Sequence, residues 1–430
     1  FNWSQDSQPL QTADHSDTTE IAKPVFAVKK FGVTGDGITN NDAALAVMMS
    51  RIPAGSKVSF ETNEVYIISQ PIVLPKSVNI DLNGAKIIAE NSDSVFSVQS
   101  DNVIIQNGLL DLNYSSHNGI KANGKSGLYE GVSGSVAAGS NTVVLNTVPK
   151  GINEAKYITI AGITGYSKVA RLSGYNLILE SPVNTTVTDA NIGWFQPYSN
   201  FYFLGLSIMN QIPTALNLEG GIYLSRCENV RIEECNFNNI FNPGAKGAVD
   251  HSPSIKFVES YNVFTNDITA TDGGVGINLF SVVNAYINRT SQTNMADNGF
   301  YIQAYSDNIN VDSFTIDGVE EGVVFEVLNS SGTAAQNQRD GNTPAAKPAV
   351  KITNGKINGA TNHGLSLRQG RNLYVNNVIF TGCWNNIGQS SSSPGCSDVV
   401  FDNITCQNTV GPTSIYYGNN KRIQFTNLIQ

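Results

Sequence analysis

Charge is scarce in this chain: 14% of its 430 residues are Asp, Glu, Lys or Arg, against about 25% in ordinary globular proteins. Net charge is −9 with an isoelectric point near 5.0, and no run of Lys and Arg stands out. A phosphate backbone needs such a run, so nucleic acid is excluded as a partner. No stretch of about 18 apolar residues exists, which excludes a spanning helix, and no signal-peptide pattern follows Phe1. A chain opening on Phe is expected to be processed. Five cysteines, Cys227, Cys235, Cys383, Cys396 and Cys406, have no metal-ligand spacing, and no cofactor is expected. They read as small buried thiols, with one disulfide, Cys383 to Cys396, left open. Proline is sparse, at 15 residues, whereas glycine numbers 39. With abundant Asn, Ser and Thr, this composition fits many tight turns.

What is present is a repeat. From Asn200 a small polar residue followed by alternating apolar residues recurs: Asn200-Phe-Tyr-Phe, Asn229-Val-Arg-Ile, Asn262-Val-Phe-Thr, Asn284-Ala-Tyr-Ile, Asn308-Ile-Asn-Val, then Val350, Asn372, Val399 and Arg422, at intervals of 22 to 42 residues. Between restarts lies a second strand that opens on a small residue: Gly221-Ile-Tyr-Leu-Ser, Ser254-Ile-Lys-Phe-Val, Gly276-Ile-Asn-Leu-Phe, Gly299-Phe-Tyr-Ile-Gln, Gly322-Val-Val-Phe-Glu, Gly364-Leu-Ser-Leu-Arg. Period-two alternation over five residues is a strand with one buried face. A unit of two or three such strands cannot bury its own apolar face, but stacked units can. The expected fold is all-β, a right-handed parallel β-helix. Its opening Asn residues read as a turn ladder.

The chain divides into a flexible lead-in over 1–24, a cap with the first coils over 25–124, a small β insertion over 125–199, and the main solenoid over 200–430. The insertion is expected to be a sandwich or barrel. It shows as short β runs, Gly131 to Leu145, Tyr157 to Gly162 and Asn176 to Leu179, that lack the coil period. Ala43 to Ser50 is expected to form a capping helix, and Asp36 and Asp42 to serve its turns. The last strand, Ile423 to Thr426, needs a cover from another subunit or a further segment, since a bare solenoid end invites aggregation.

Phe31-Gly-Val-Thr-Gly-Asp-Gly-Ile-Thr-Asn-Asn-Asp-Ala-Ala-Leu, followed by Val58-Ser-Phe and Val65-Tyr-Ile-Ile, resembles the opening of the pectate-lyase-like β-helix superfamily, most of all its bacteriophage tailspike members. The resemblance is sharp over residues 25–85. It implies the fold and a homotrimeric, virion-tail depolymerase acting on a bacterial capsule or O-antigen, or else a secreted lyase, epimerase or transferase acting on an acidic or plant-like polysaccharide. That superfamily holds lyases, hydrolases, epimerases and transferases, so the motif carries over no catalytic residue.

Alternation sends Ile222/Leu224, Ile255/Phe257, Ile277/Leu279, Phe300/Ile302, Val323/Phe325 and Leu365/Leu367 inward. Outward go Tyr223/Ser225, Lys256/Val258, Asn278/Phe280, Tyr301/Gln303, Val324/Glu326 and Ser366/Arg368. Rings, amides and charges stacked coil upon coil suit a sugar chain, with Tyr223, Lys256, Tyr301, Gln303, Arg368 and His363 as contacts; an ordinary solvated face is the competing reading. Glu326 beside Arg368 is a candidate catalyst or a plain surface ion pair. Asp297, Glu320/Glu321 and His363 fall at matching offsets in successive coils, with Asp272 one coil earlier. Acids one coil apart would lie at ~5 Å and two coils apart at ~10 Å, bracketing the carboxylate separations of retaining and inverting glycosidases. Turn aspartates also arise for backbone reasons alone. The expected catalysts are Glu326, Asp297 and Glu321, working by hydrolysis. His251, Lys256 and Glu259 leave β-elimination open, and a glycan-binding fibre without catalysis is a third reading. Asp250-His251-Ser252 is no triad, since neighbours in sequence cannot meet as one requires. The segment 329–347 is expected to overhang a groove.

Overall fold

The computed structural model describes residues 24–152, 155–163, 167–183, 185–211, 220–240, 252–304, 306–327, 350–388, 395–411, 415 and 421–429. The lead-in, His251 and the segment 329–347 lie outside them. Strand makes up 65% of the described residues, and 26 strands join one continuous parallel sheet wound into a right-handed β-helix.

One coil shows how the sequence does this. Asn298–Gln303 lies on the first sheet, and Asp307–Asp317 supplies the second and third. Asp307–Asp317 is one run by hydrogen bonding but bends at Ser313, whose φ is 56°. Asp267, Arg289, Asn354, Asn377 and Asn403 hold the same left-handed conformation at the same place in other coils. A single residue there turns an extended chain through a corner. At the next corner the opening asparagines form a ladder in which each amide donates to the one before: Asn200 to Asn102 at 2.9 Å, Asn229 to Asn200 at 3.1 Å, Asn262 to Asn229 at 3.0 Å, Asn284 to Asn262 at 3.0 Å and Asn308 to Asn284 at 2.8 Å. Asparagine suits both demands, since it tolerates positive φ and carries a donor and an acceptor.

The inward residues are 0–1% exposed and share one core along the solenoid. Burying each such side chain contributes roughly 1.5–3 kcal/mol. All five cysteines are buried and none forms a disulfide, so the Cys383–Cys396 bridge is absent; burial pushes the Cys227 and Cys396 thiols up.

The glycine that opens most first-sheet strands, with Ser254 in its place in one coil, is more than a turn residue. A Cβ on Gly276 would lie 2.5 Å from the Gly299 carbonyl oxygen, and one on Gly299 2.6 Å from that of Gly322; Gly322 in turn meets the Gly364 carbonyl. The column lets coils approach where a side chain would force them apart. It also interrupts strict alternation. The residue before each glycine and the residue two after it both reach the outer face, as Val275, Tyr301 and Val324 demonstrate by packing together outside the main core.

The helix runs Asp42–Arg51. Buried Asn41 ties Thr34 and Thr39 beneath it, and Asp42 accepts from the Ser69 and Gln70 amides. Asp36 accepts from Ile38 and Thr39, which holds its carboxyl below the usual range. Six strands between Lys125–Val136 and Val187–Gln196 close into an antiparallel barrel. It docks on the solenoid through stacked rings: Tyr157 lies 5.0 Å from Phe195 and 4.2 Å from Tyr261, while Lys156 pairs with Glu228 at 3.3 Å.

Candidate active site

On the outer face of the first sheet, three strands place their polar residues in register. Asn298 pairs with Glu321 and Glu321 with His363; Tyr301 pairs with Val324 and Val324 with Ser366; Gln303 pairs with Glu326. Because the glycine column turns Glu321 outward, both glutamates of the strand Glu321–Glu326 reach the same guanidinium. Arg368 donates through one amino group to Glu321 at 2.6 Å and through the other to Glu326 at 3.3 Å and to the Tyr301 hydroxyl at 3.2 Å. Tyr301 itself donates to Glu326 at 2.6 Å. The second oxygen of Glu321 lies 3.1 Å from Nδ1 of His363.

Burial opposes ionisation of Glu321, whose side chain is 5% exposed. The His363 hydrogen bond and the Arg368 charge outweigh that burial and hold the carboxyl below its usual value. An ionised carboxylate only accepts, so Nδ1 of His363 donates to it and Nε2 is left to exchange a proton. Burial pulls the Arg368 guanidinium down, but Glu321, Tyr301 and Glu326 together raise it. Burial first, then the bond to Glu326, pushes the Tyr301 phenol up, so Tyr301 stays a neutral donor. The arrangement can hold a fixed negative charge, orient an imidazole, and offer a phenol and a guanidinium to a sugar.

The structure brings together five expected residues, Glu321, Glu326, Tyr301, His363 and Arg368, from what read as two separate groupings. Three details differ from expectation. A β-bulge places Gln369, not Arg368, opposite Glu326, and Arg368 reaches across by the length of its side chain. Asn298, not Asp297, is in register with Glu321; Asp297 offers its carbonyl to the amides of Glu320 at 2.9 Å and Glu321 at 3.1 Å. Arg368 also stands between Glu321 and Glu326, which the sequence had placed in separate groupings. Gln303 is half-buried beside Glu326. Lys256 and Tyr223 extend the central row two and three coils from Tyr301, about 10 and 15 Å at strand spacing. Buried Asn298 and Gln369 were missed because amides at strand ends look like turn residues.

Aromatic patterning also hid a ladder on the second sheet. Tyr202, Arg231, Phe264 and Tyr286 stand in register, with Arg231 5.7 Å from the Tyr202 ring centre and 5.0 Å from that of Phe264. Phe264 and Tyr286 stack at 5.8 Å. Among the described residues no group of three or more His, Cys, Asp or Glu side chains could hold a metal, and no helix is long and apolar enough to cross a membrane.

The fold these coils define is the right-handed parallel β-helix. Among solved structures, the chain is similar to a Yersinia enterocolitica family 28 exopolygalacturonase, with TM-score 0.53 and 12% identity, covering 93% of this chain and 78% of that one. It is also similar to the catalytic unit of an α-1,3-glucanase from Streptomyces thermodiastaticus, with TM-score 0.50 and 10% identity, covering 96% and 70%. A tailspike from Pseudomonas phage LKA1 superposes with TM-score 0.45 and 11% identity, covering 94% and 81%. No family model and no curated protein matches the sequence.

Proposed function

We propose that this protein cleaves a polysaccharide by glycosidic hydrolysis on the outer face of its first sheet. The carrying observation is the convergence of Glu321 and Glu326 on Arg368, with Glu321 also holding His363. A solenoid gains its stability from the apolar interior. A partly buried charge network on the outside costs desolvation, and clusters of this kind mark functional sites.

Glu321, ionised and held from both sides, activates water or stabilises the positive charge that develops on the sugar ring. His363, held by that carboxylate through Nδ1, relays a proton through Nε2. Asp297, in the turn one coil before that of Glu320 and Glu321, supplies the acid to the leaving oxygen. Glu326, fixed by Tyr301 and Arg368, faces the sugar. Gln303, Lys256 and Tyr223 bind more distant units. The fold, shared with the exopolygalacturonase and the glucanase, is compatible with this chemistry. The opening-motif resemblance supports a bacterial capsule or O-antigen as substrate, a homotrimer, and a place on a virion tail or in secretion.

The test is digestion of a capsule and O-antigen panel with the wild type, Glu321→Gln and Glu326→Gln. Saturated oligosaccharides from the wild type, with a loss of ~10³-fold or more in a folded Glu321→Gln variant, support the reading. Unsaturated uronate ends would replace hydrolysis by elimination. Binding without products would leave a glycan-binding fibre, and sedimentation that returns a monomer would remove the trimer.

A further inference from the structure

The free edge of His363 faces the next coil. Its strand pairs with Asn385–Gly388, and Gly388 extends the outward row of Tyr301, Val324 and Ser366. Any side chain at 388 would collide with Nε2 and Cδ2 of the imidazole. The bare glycine therefore leaves the proton-exchanging edge of the ring room above that coil.

Trp384 stands in the turn that opens the same coil. It precedes Asn385, which is in register with His363, at the turn position that Asp297, Glu320 and Asn362 occupy in earlier coils. The turn is held on both sides: the Trp384 amide donates to the Ala360 carbonyl at 2.8 Å, and its own carbonyl accepts from the Gly411 amide at 2.7 Å. A Cβ on Gly411 would press on Cδ1 of the indole at 3.1 Å, so a second glycine leaves the indole its place. The side chain is nevertheless 46% exposed, and Val410, in the following turn, is 64% exposed. Single exposed apolar residues are ordinary. Here a rigidly mounted indole stands about one strand spacing, ~5 Å along the axis, from the coil of an imidazole with a free edge. Polar residues fill the same turn position in the three coils before it, so the scaffold does not require a ring there. A pyranose has a face of C–H groups and a rim of hydroxyls; an indole covers the first, and its N–H can pair with the second.

We propose that Trp384 is the stacking platform for the sugar unit that meets Nε2 of His363, on the side of the cluster away from Tyr301 and Gln303. The inference rests on the glycan reading above and adds a subsite to it, one that takes a pyranose with an unobstructed C–H face. The glycan then lies along the solenoid axis and crosses the cluster.

The test offers a panel of bacterial capsular and O-antigen polysaccharides to Glu321→Gln, in which the chains are to stay whole, and follows indole emission together with affinity electrophoresis. The chain has three tryptophans, Trp3, Trp194 and Trp384, so a change lost in Trp384→Phe belongs to Trp384. The expected result is a blue shift on adding a glycan, abolished by Trp384→Phe with binding kept, and binding weaker by ~10-fold or more in Trp384→Ala. With Glu321 intact, Trp384→Ala is expected to raise KM by the same factor with kcat unchanged. Equal binding by Trp384→Ala, or a blue shift that survives Trp384→Phe, overturns the inference while cleavage by the wild type stands. A Trp384→Ala protein that sediments as a smaller species and still binds makes the indole a contact between copies, and overturns it too. Binding that depends on Trp384, without products from the wild type, supports the inference and removes the cleavage reading. Binding of no polysaccharide overturns both.

Discussion

Two arginines on the outside of this solenoid look alike and are built differently. On the second sheet Arg231 forms a two-pronged pair with Glu233, at 2.6 and 2.9 Å, two residues along the same strand, between the rings of Tyr202 and Phe264. On the first sheet Arg368 gathers Tyr301, Glu321 and Glu326 from two other coils, and Glu321 also holds a histidine. Each has an arginine, a glutamate and a tyrosine whose phenol is raised, Tyr202 to about 12 by burial and then by Glu233. The difference lies in where the charges end up. Arg231 neutralises one carboxylate and stacks between neighbours, which stabilises one stretch of wall. Arg368 is shared between two carboxylates, one of which also orients an imidazole. Pairing within a strand ties one stretch of wall to itself; convergence across coils gathers polar groups from three strands at one place.

The sharpest way to break this comparison is to remove one carboxylate from each. Glu321→Gln should lower turnover by ~10³-fold or more, and Glu233→Gln by less than 2-fold, in the same polysaccharide digestion. Equal losses would erase the distinction. Next in size is stability. Arg368→Met leaves two carboxylates uncompensated, one of them buried, and should cost about 3–5 kcal/mol in denaturant unfolding, against a smaller loss for Arg231→Met, which leaves the one carboxylate of buried Glu233. Mutating Glu321 and Glu326 to Gln in the Arg368→Met background should recover part of that loss.

Acid titration sharpens the contrast further. The folded-state Glu321 carboxyl lies below its unfolded value, so its contribution is fully present above the unfolded value. That contribution is lost as pH falls through the folded one. Thermal melts of wild type and Glu321→Gln should therefore differ most near neutrality and converge in acid; curves that stay parallel would contradict the assignment. The smallest expected effect is Asn262→Ala in the corner ladder, about 1 kcal/mol, with activity unchanged because the ladder lies on another corner from the cluster.

Much of this was legible in the sequence for a physical reason. A solenoid is written by local rules, so the alternation of Ile277, Leu279, Phe300 and Ile302 and the recurring Asn named the coils, the inward row and the corner ladder directly. The site was legible as residue types, since Tyr301, Glu326, Arg368, Glu321 and His363 all stood out. Their meeting was not legible, because it depends on a bulge that slips Gln369 opposite Glu326 and on glycines that bring Glu321 outward. Neither is visible in a period-two pattern. Asn298 was passed over for Asp297 because a one-residue difference in register cannot be read without the partner coil.

The glycine column bears on how such a chain can grow. A new coil inserted along the first sheet must bring to that position a residue small enough to leave room for the next coil's carbonyl, glycine in most coils and serine at Ser254. Duplication of a whole repeat meets that demand automatically, whereas drift within a repeat does not. Lengthening therefore proceeds in whole coils, and a coil inserted between the cluster and Lys256 would displace that lysine by a further 5 Å or so, close to one unit of a sugar chain. Changes in the reach of the outer face along the axis would then arrive as discrete steps of descent rather than as gradual adjustment.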